Sequence, residues 1–178
     1  MSTIEPRRGW FLTFEGIDGC GKTTQMRMLA ARLRETGRDV EETVEPGGTE
    51  VGRQIRRVLL DARNQEISAT TELLLYFASR AQNVDQRIRP ALAQGKAVLS
   101  DRYTDSTMVY QGFARGLGEQ IVRDLHRVAC GGLDPDVTIY IDIDLETSLA
   151  RARARNREVS GEDAVETRMD EHGPNVHC

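Results

Sequence analysis

The run Gly16-Ile17-Asp18-Gly19-Cys20-Gly21-Lys22-Thr23 combines three glycines, a lysine and a hydroxyl in the order G-x-x-x-x-G-K-[ST]. Glycines at those places let successive backbone N–H groups converge on a phosphate. A helix opening directly after them points its positive end at the same spot. Lys22 can then bridge β- and γ-phosphate oxygens, and the Thr23 hydroxyl can hold Mg²⁺. The pattern marks a nucleotide binder without saying where a phosphoryl group goes, because GTPases, ATPases, nucleoside kinases and nucleotide kinases all carry it.

A second group stands at Asp101-Arg102-Tyr103, directly after the apolar residues 97–100. A carboxylate at the carboxyl end of a buried strand lies where a magnesium-organising acid belongs, and Arg102 beside it offers a planar fork suited to phosphate. Asp142, at the end of another strong strand, is a rival acid, although Asp144 and Pro135 around it suit helix entry and turn roles. A third group is Arg151, Arg153, Arg155 and Arg157. At alternate positions on a helix these spread around most of the circumference, and the acidic stretch just beyond, with Gly161, reads as a flap. Cations on a closing flap stabilise charge on a transferring phosphoryl group.

The strands and helices around these groups are legible in outline. Residues 9–15 (GWFLTFE) form an apolar run that ends in the glycine turn, and Met26, Leu29, Ala30 and Leu33 then follow at helical spacing. Residues 40–44 read as a second strand, ending at Glu45-Pro46-Gly47-Gly48. Val51, Ile55, Val58 and Leu59 form one helical stripe. Leu73, Phe77, Ala81, Val84, Ile88 and Leu92 form a longer one, which Pro90 is expected to end or bend. Residues 97–100 and 137–143 (VTIYIDI) are strands, Ile121 to Ala129 marks a helix, and residues 145–157 another. Strands alternating with helices predict an α/β fold, a parallel sheet covered on both faces with ligands at the carboxyl ends of its strands. One domain spanning residues 1–178 is expected.

The 178 residues carry 28 acids and 24 bases, a net charge of −4, and 39% apolar side chains, which fits one globular domain. Residues 158–178 hold six acids, Glu158, Glu162, Asp163, Glu166, Asp170 and Glu171, against the single base Arg168. The remainder is close to neutral, so a nucleic-acid-wrapping surface is not expected. No run approaches the roughly 20 apolar residues of a membrane span and the N-terminus has no apolar signal segment, so a cytoplasmic protein is expected. Cys20, Cys130 and Cys178 are few and far apart and read as free thiols.

Taken together these residues resemble one family, bacterial thymidylate kinase (dTMP kinase). The likeness rests on Phe14-Glu15-Gly16-Ile17-Asp18-Gly19 leading into the phosphate loop, Glu45-Pro46-Gly47-Gly48-Thr49, Tyr76-Phe77-Ala78-Ser79-Arg80, Asp101-Arg102-Tyr103, and Ser106 through Tyr110-Gln111-Gly112. It covers about residues 9–170 and implies the P-loop nucleotide-kinase fold, ATP and dTMP as partners, and Mg²⁺ on Thr23 and Asp101. Gly16 through Thr24 would bind ATP: Gly16, Ile17, Asp18, Gly19, Cys20, Gly21, Lys22, Thr23 and Thr24. Asp18 matches a residue that contacts the sugar 3′-hydroxyl or the metal site, and Arg56 and Arg102 match grips on the acceptor phosphate. Phe77 corresponds to a ring stacked on thymine and Arg80 to a hydrogen bond with the pyrimidine edge. Thr107 and Gln111 fall near the base, and Tyr110 where a ring crowds the sugar 2′ position.

The family divides by where its catalytic arginine lies. This phosphate loop has none, whereas Arg153 and Arg155 stand in the flap, or LID, at about residues 150–163, so the resemblance implies the LID-arginine type with Lys22 and Arg102 as the other catalytic residues. After Arg168-Met169-Asp170 the family continues into a long helix, a strand and a terminal helix, which this sequence does not show. Reduced ATP binding is the corresponding expectation. The family is commonly a homodimer, and the stripe from Leu73 to Leu92 is longer than one helix facing a sheet would use, so a dimer through helix packing is expected. Two other readings stay open: a non-catalytic nucleotide-binding remnant, and a deoxynucleoside kinase in which Glu45 serves as base.

Overall fold

The computed structural model describes residues 8–158, and of Arg153 and residues 155–158 the backbone alone. Four strands, β1 (Phe11–Glu15), β2 (Val40–Val44), β3 (Ala97–Asp101) and β4 (Val137–Tyr140), form a wholly parallel sheet in the order β2-β3-β1-β4. Between them run α1 (Lys22–Glu35), α2 (Glu50–Leu60), α3 (Ala69–Asn83), α4 (Arg89–Ala93), α5 (Thr104–Thr107) and α6 (Glu119–Cys130), and α7 (Leu145–Glu158) follows β4.

Side-chain alternation on the two central strands decides what each face of the sheet presents. Leu12, Phe14 and Leu99 pack on Met26 and Ala30 of α1, which covers one face. Phe11 and Val98 point the other way, into a cluster with Val84, Ile88, Leu92, Tyr103 and Cys130. Asp101 lies two residues beyond Leu99 and so faces α1. Glu15 lies four beyond Phe11 and so faces Tyr103. The two carboxylates at the strand ends therefore serve opposite sides of the sheet.

Three sequence expectations change in detail. The helix through Pro90 neither ends nor breaks there, because a π-helical turn at Val84–Ile88 joins α3 to α4 and places Pro90 in the first turn of α4. A widened turn moves the carbonyl that the proline ring would strike. β4 stops at Tyr140, three residues short of the expected end, since its one partner among the described residues is β1 and Tyr140 pairs with Glu15, where β1 turns at Gly16. A bond from Ile141 N to Glu15 O (2.8 Å) closes the ladder. The stripe from Leu73 to Leu92 is spent inside the chain: Leu73, Phe77, Val84, Ile88 and Leu92 are all buried, so it supplies no surface for a partner. Residues 104–114, for which no element was expected, form α5 and a second π-helical segment, Met108–Ala114.

Candidate active site

The phosphate loop joins β1 to α1. Gly16, Gly19 and Gly21 adopt positive φ (142°, 84° and 98°), and α1 opens at Lys22 with no side chain capping its first N–H groups, which remain for an anion. Gly19 is required for a second reason: a Cβ there would lie 2.3 Å from Ser148 O and 3.0 Å from Ala152 N. Ser148, fully buried on α7, donates to Asp18 O. The helix bearing the basic run is thus seated on the phosphate loop. Arg153 and Arg155 belong to this helix, but their side chains lie outside the described residues.

Lys22 is 6% exposed and its Nζ donates to Gly16 O and Ile17 O (both 2.8 Å), with Cys20 Sγ at 3.7 Å and Asp18 Oδ1 at 4.0 Å. Burial, then the neighbouring Arg102 charge, pulls its pKa below the ordinary lysine value. Thr23 Oγ1 donates to Asp101 Oδ2, which brings the two expected magnesium ligands into contact. The two are hard oxygen ligands of the kind that suit Mg²⁺. That ion takes one or two protein ligands and fills its remaining positions with phosphate oxygens and water. Thr24 follows as an exposed residue of α1. Asp142 is exposed beyond β4, and Asp144 accepts from Thr147 N (2.8 Å) as an ordinary entry to α7.

Beside the loop lies a cavity of about 130 Å³ lined by Asp18, Glu45, Pro46, Arg56, Leu60, Tyr76, Arg80, Arg102, Tyr103, Ser106, Thr107, Tyr110 and Gln111. Six of the residues expected at the acceptor, Arg56, Arg80, Arg102, Thr107, Tyr110 and Gln111, therefore converge, together with Asp18. Arg102, with φ +71°, turns its guanidinium back across the loop. Nη2 donates to Asp18 Oδ1 (2.6 Å), and Nη1 to Gly16 O (3.2 Å) and Ser106 Oγ (2.8 Å). Its carbon lies 5.6 Å from the Tyr110 ring centroid. Burial works against this cation, but Asp18 more than offsets it and lifts the pKa above the arginine norm. Arg56, on α2, donates from Nη1 to Pro46 O (3.1 Å) in the turn ahead of that helix, whose first turn Thr49 caps by accepting from Gly52 N (2.9 Å).

Arg80 is held from three sides. Nε donates to Glu45, and Nη2 to Thr107 Oγ1 (2.8 Å) and Tyr103 O (3.2 Å). Burial alone would lower its pKa, and the Glu45 carboxylate raises it. Glu15 does similar work for the next segment: its carboxylate accepts from Tyr103 N (2.7 Å) and Ser106 Oγ (2.6 Å), while burial pushes its pKa up. Glu15, Glu45 and Ser106 belong to the stretches that carry the resemblance, but nothing in their spacing assigns them these supporting roles.

Phe77 does not take the place expected for a ring stacked on the base. It is 3% exposed and packs with Leu73 and Val122. The ring that α3 contributes to the cavity is Tyr76, four residues before Arg80 and so on the same helix side. The i, i+4 spacing from Tyr76 to Arg80 is the sequence signal that sets Tyr76 beside Arg80.

A family model described as thymidylate kinase matches residues 14–172. The chain belongs to the thymidylate kinase family. A thymidylate kinase of Geobacter sulfurreducens is 54% identical over 134 residues, covering 75% of this chain and 63% of that protein. One of Caldanaerobacter subterraneus subsp. tengcongensis is 53% identical over 135 residues, covering 76% of this chain and 64% of its own. The chain thus spans a little under two thirds of these relatives' length. The crystal structure of thymidylate kinase from Ehrlichia chaffeensis superposes with a TM-score of 0.72 at 34% identity, over 89% of this chain and 86% of that one. Membership in the thymidylate kinase family agrees with the parallel sheet and with a phosphate loop beside a second, arginine-lined cavity. Among the described residues no helix is long and apolar enough to cross a membrane.

Proposed function

We propose that this chain transfers the γ-phosphoryl group of ATP to the phosphate of dTMP, giving ADP and dTDP. The observation that carries the reading is that Asp18 belongs both to the phosphate loop and to the wall of the cavity, so a donor on the loop and an acceptor in the cavity meet at one place. The loop N–H groups and Lys22 would hold the donor phosphates. Lys22 Nζ exchanges its bonds to Gly16 O and Ile17 O for phosphate oxygens. Arg56 and Arg102 would grip the acceptor phosphate, with Tyr76 and Arg80 against the base and Tyr110 near the sugar.

An acceptor phosphate with a second pKa of about 6 is already a nucleophile at neutral pH. One of its oxygens forms the new P–O bond while the bond between the γ-phosphorus and the β-bridging oxygen breaks, and no protein base is needed. Thr23 and Asp101 would hold Mg²⁺, which neutralises charge on the β- and γ-phosphates. Arg153 and Arg155, on the helix that Ser148 and Ala152 seat against the loop, would supply further positive charge.

The deoxynucleoside-kinase alternative is disfavoured by Glu45. It is 3% exposed and its oxygens are engaged by Arg80 and Asn83, so Glu45 is not free to act as a base toward an acceptor hydroxyl. Steady-state turnover with ATP and either dTMP or thymidine is the test: product from dTMP supports the reading, and product from thymidine alone overturns it. The homodimer remains part of this proposal. Its support moves to the half-exposed Val51 and Val58 of α2 and Leu74 of α3, and sedimentation at micromolar concentration checks it.

A further inference from the structure

We infer that Glu72, which lines no part of the cavity, decides which pyrimidine the cavity accepts by fixing the orientation of Gln111. This inference rests on the proposed dTMP site and deepens it.

Gln111 lies in the π-helical segment 108–114 and lines the cavity. Its amide has two faces of opposite chemistry, an NH₂ that only donates and a carbonyl that only accepts, and either can be turned inward by rotating the group. Glu72, 1% exposed in the first turn of α3, removes that freedom. One of its carboxylate oxygens accepts from Gln111 Nε2 at 2.8 Å, and the other lies 3.5 Å from Arg115 Nη2 in an ion pair. A carboxylate in an ion pair has no proton to give. If Gln111 rotated, its carbonyl oxygen would face a carboxylate oxygen in a buried setting, with nothing between them to donate.

With one Nε2 proton committed to Glu72, the amide is held with its nitrogen toward that carboxylate, and Oε1, on the other branch of the amide, is the acceptor Gln111 offers the cavity. Among the described residues one buried side-chain nitrogen or oxygen lacks a partner, and it is Arg115 Nε; Gln111 Oε1 is therefore not sealed away without one. Arg80, which also lines the cavity, can only donate and is itself oriented by a buried carboxylate, Glu45. The cavity thus presents a donor from one wall and an acceptor from another. Thymine and uracil match this with O4 as acceptor and N3–H as donor. Cytosine reverses both, with an exocyclic amine and an unprotonated N3. Glu72 is a positioning residue, since its carboxylate acts on the base through Gln111.

Glu72→Gln is the informative variant. A glutamine at 72 keeps the shape and can donate as well as accept, so Gln111 becomes free to present either face. Calorimetric titration of the full chain with dTMP and dCMP should show the dTMP preference of the unaltered protein falling at least tenfold, with dCMP binding strengthened as dTMP binding weakens. Loosening of the fold alone would weaken both ligands alike and overturn the inference, as would a preserved ratio. If Glu72→Gln does not fold, N3-methyl-dTMP on the unaltered protein decides the matter. Loss of at least tenfold in affinity relative to dTMP supports an acceptor at N3, and equal binding overturns it. An unaltered protein with no preference for dTMP over dCMP would instead bring down the proposed function, a result distinct from a preference that survives Glu72→Gln.

Discussion

Asp18 and Arg102 are 84 residues apart in the chain and share a 2.6 Å ion pair, which ties the phosphate loop to the end of β3 and makes a common wall for two sites. Arg102 reaches Asp18, Gly16 O and Ser106 Oγ with a single planar group, a geometry that a lysine does not reproduce. Arg102→Lys should therefore raise KM for dTMP at least tenfold while changing KM for ATP little. Steady-state kinetics with each substrate varied in turn is the check, and an unaltered dTMP KM would place Arg102 outside the acceptor site.

Lys22 meets the loop carbonyls and not the base end of the cavity, so its loss should separate chemistry from acceptor binding. Lys22→Ala should lower kcat by roughly 100–1000-fold, the scale seen when one preorganised charge-stabilising donor is removed. The dTMP dissociation constant should stay within about threefold. Equal loss of both quantities would contradict the assignment.

The phosphate loop, Asp101 and the strand–helix alternation were legible in the sequence because each is a local pattern: glycines before a helix, or apolar residues before an acid. The cavity beside the loop was only partly so. Arg56, Arg80, Arg102, Thr107, Tyr110 and Gln111 came from the resemblance, and they come together from four separate stretches of chain. Glu15, Glu45 and Glu72 act through contacts 88, 35 and 39 residues away, to Tyr103, Arg80 and Gln111, and no spacing rule connects such pairs. The stripe from Leu73 to Leu92 misled for the opposite reason. Periodicity identifies an apolar face but not what covers it, and here the chain's own sheet and α6 do.

Tyr76 and Phe77 are adjacent, and the structure gives them different duties, so paired substitutions should diverge. Phe77→Ala removes a ring from the cluster with Leu73 and Val122 and should destabilise the fold by about 3–5 kcal/mol. Tyr76→Ala should cost much less stability and weaken dTMP binding instead. Chemical denaturation and calorimetric titration of both variants decide it; weaker dTMP binding in a fully folded Phe77 variant, with Tyr76→Ala silent, would return the stacking role to Phe77.

Tyr110 lines the cavity near Arg102, and in the proposed site its ring would crowd the sugar 2′ carbon. Tyr110→Ala should narrow the preference for dUMP over UMP by at least tenfold if the ring excludes the hydroxyl by volume. Competition titrations with the two nucleotides check this, and an unaltered ratio would mean that another group guards the sugar.

His126 gives the fold a pH dependence whose sign can be worked out. Its Nε2 lies 3.1 Å from Asp134 Oδ1 and its Nδ1 lies 2.9 Å from Thr104 Oγ1, the hydroxyl that also meets Arg80 Nη1 at 3.5 Å. Burial is the largest influence and lowers its pKa; Asp134 pulls the other way, and the Arg80 charge adds to the lowering, leaving it below the ordinary 6.5. A folded pKa below the unfolded one means that the unfolded chain binds this proton more readily. The contribution of neutral His126 is then complete above about pH 6.5 and is lost as pH falls through the folded value, at no more than about 1.4 kcal/mol per pH unit. Carboxylates also titrate on the acid side, so the informative quantity is a difference. Urea midpoints measured from pH 8 to pH 5 should decline more steeply for the unaltered protein than for His126→Gln, which cannot take up the proton. Parallel curves for the two would show that His126 titrates alike in the folded and unfolded chains, and the acid sensitivity would then belong to the carboxylates alone.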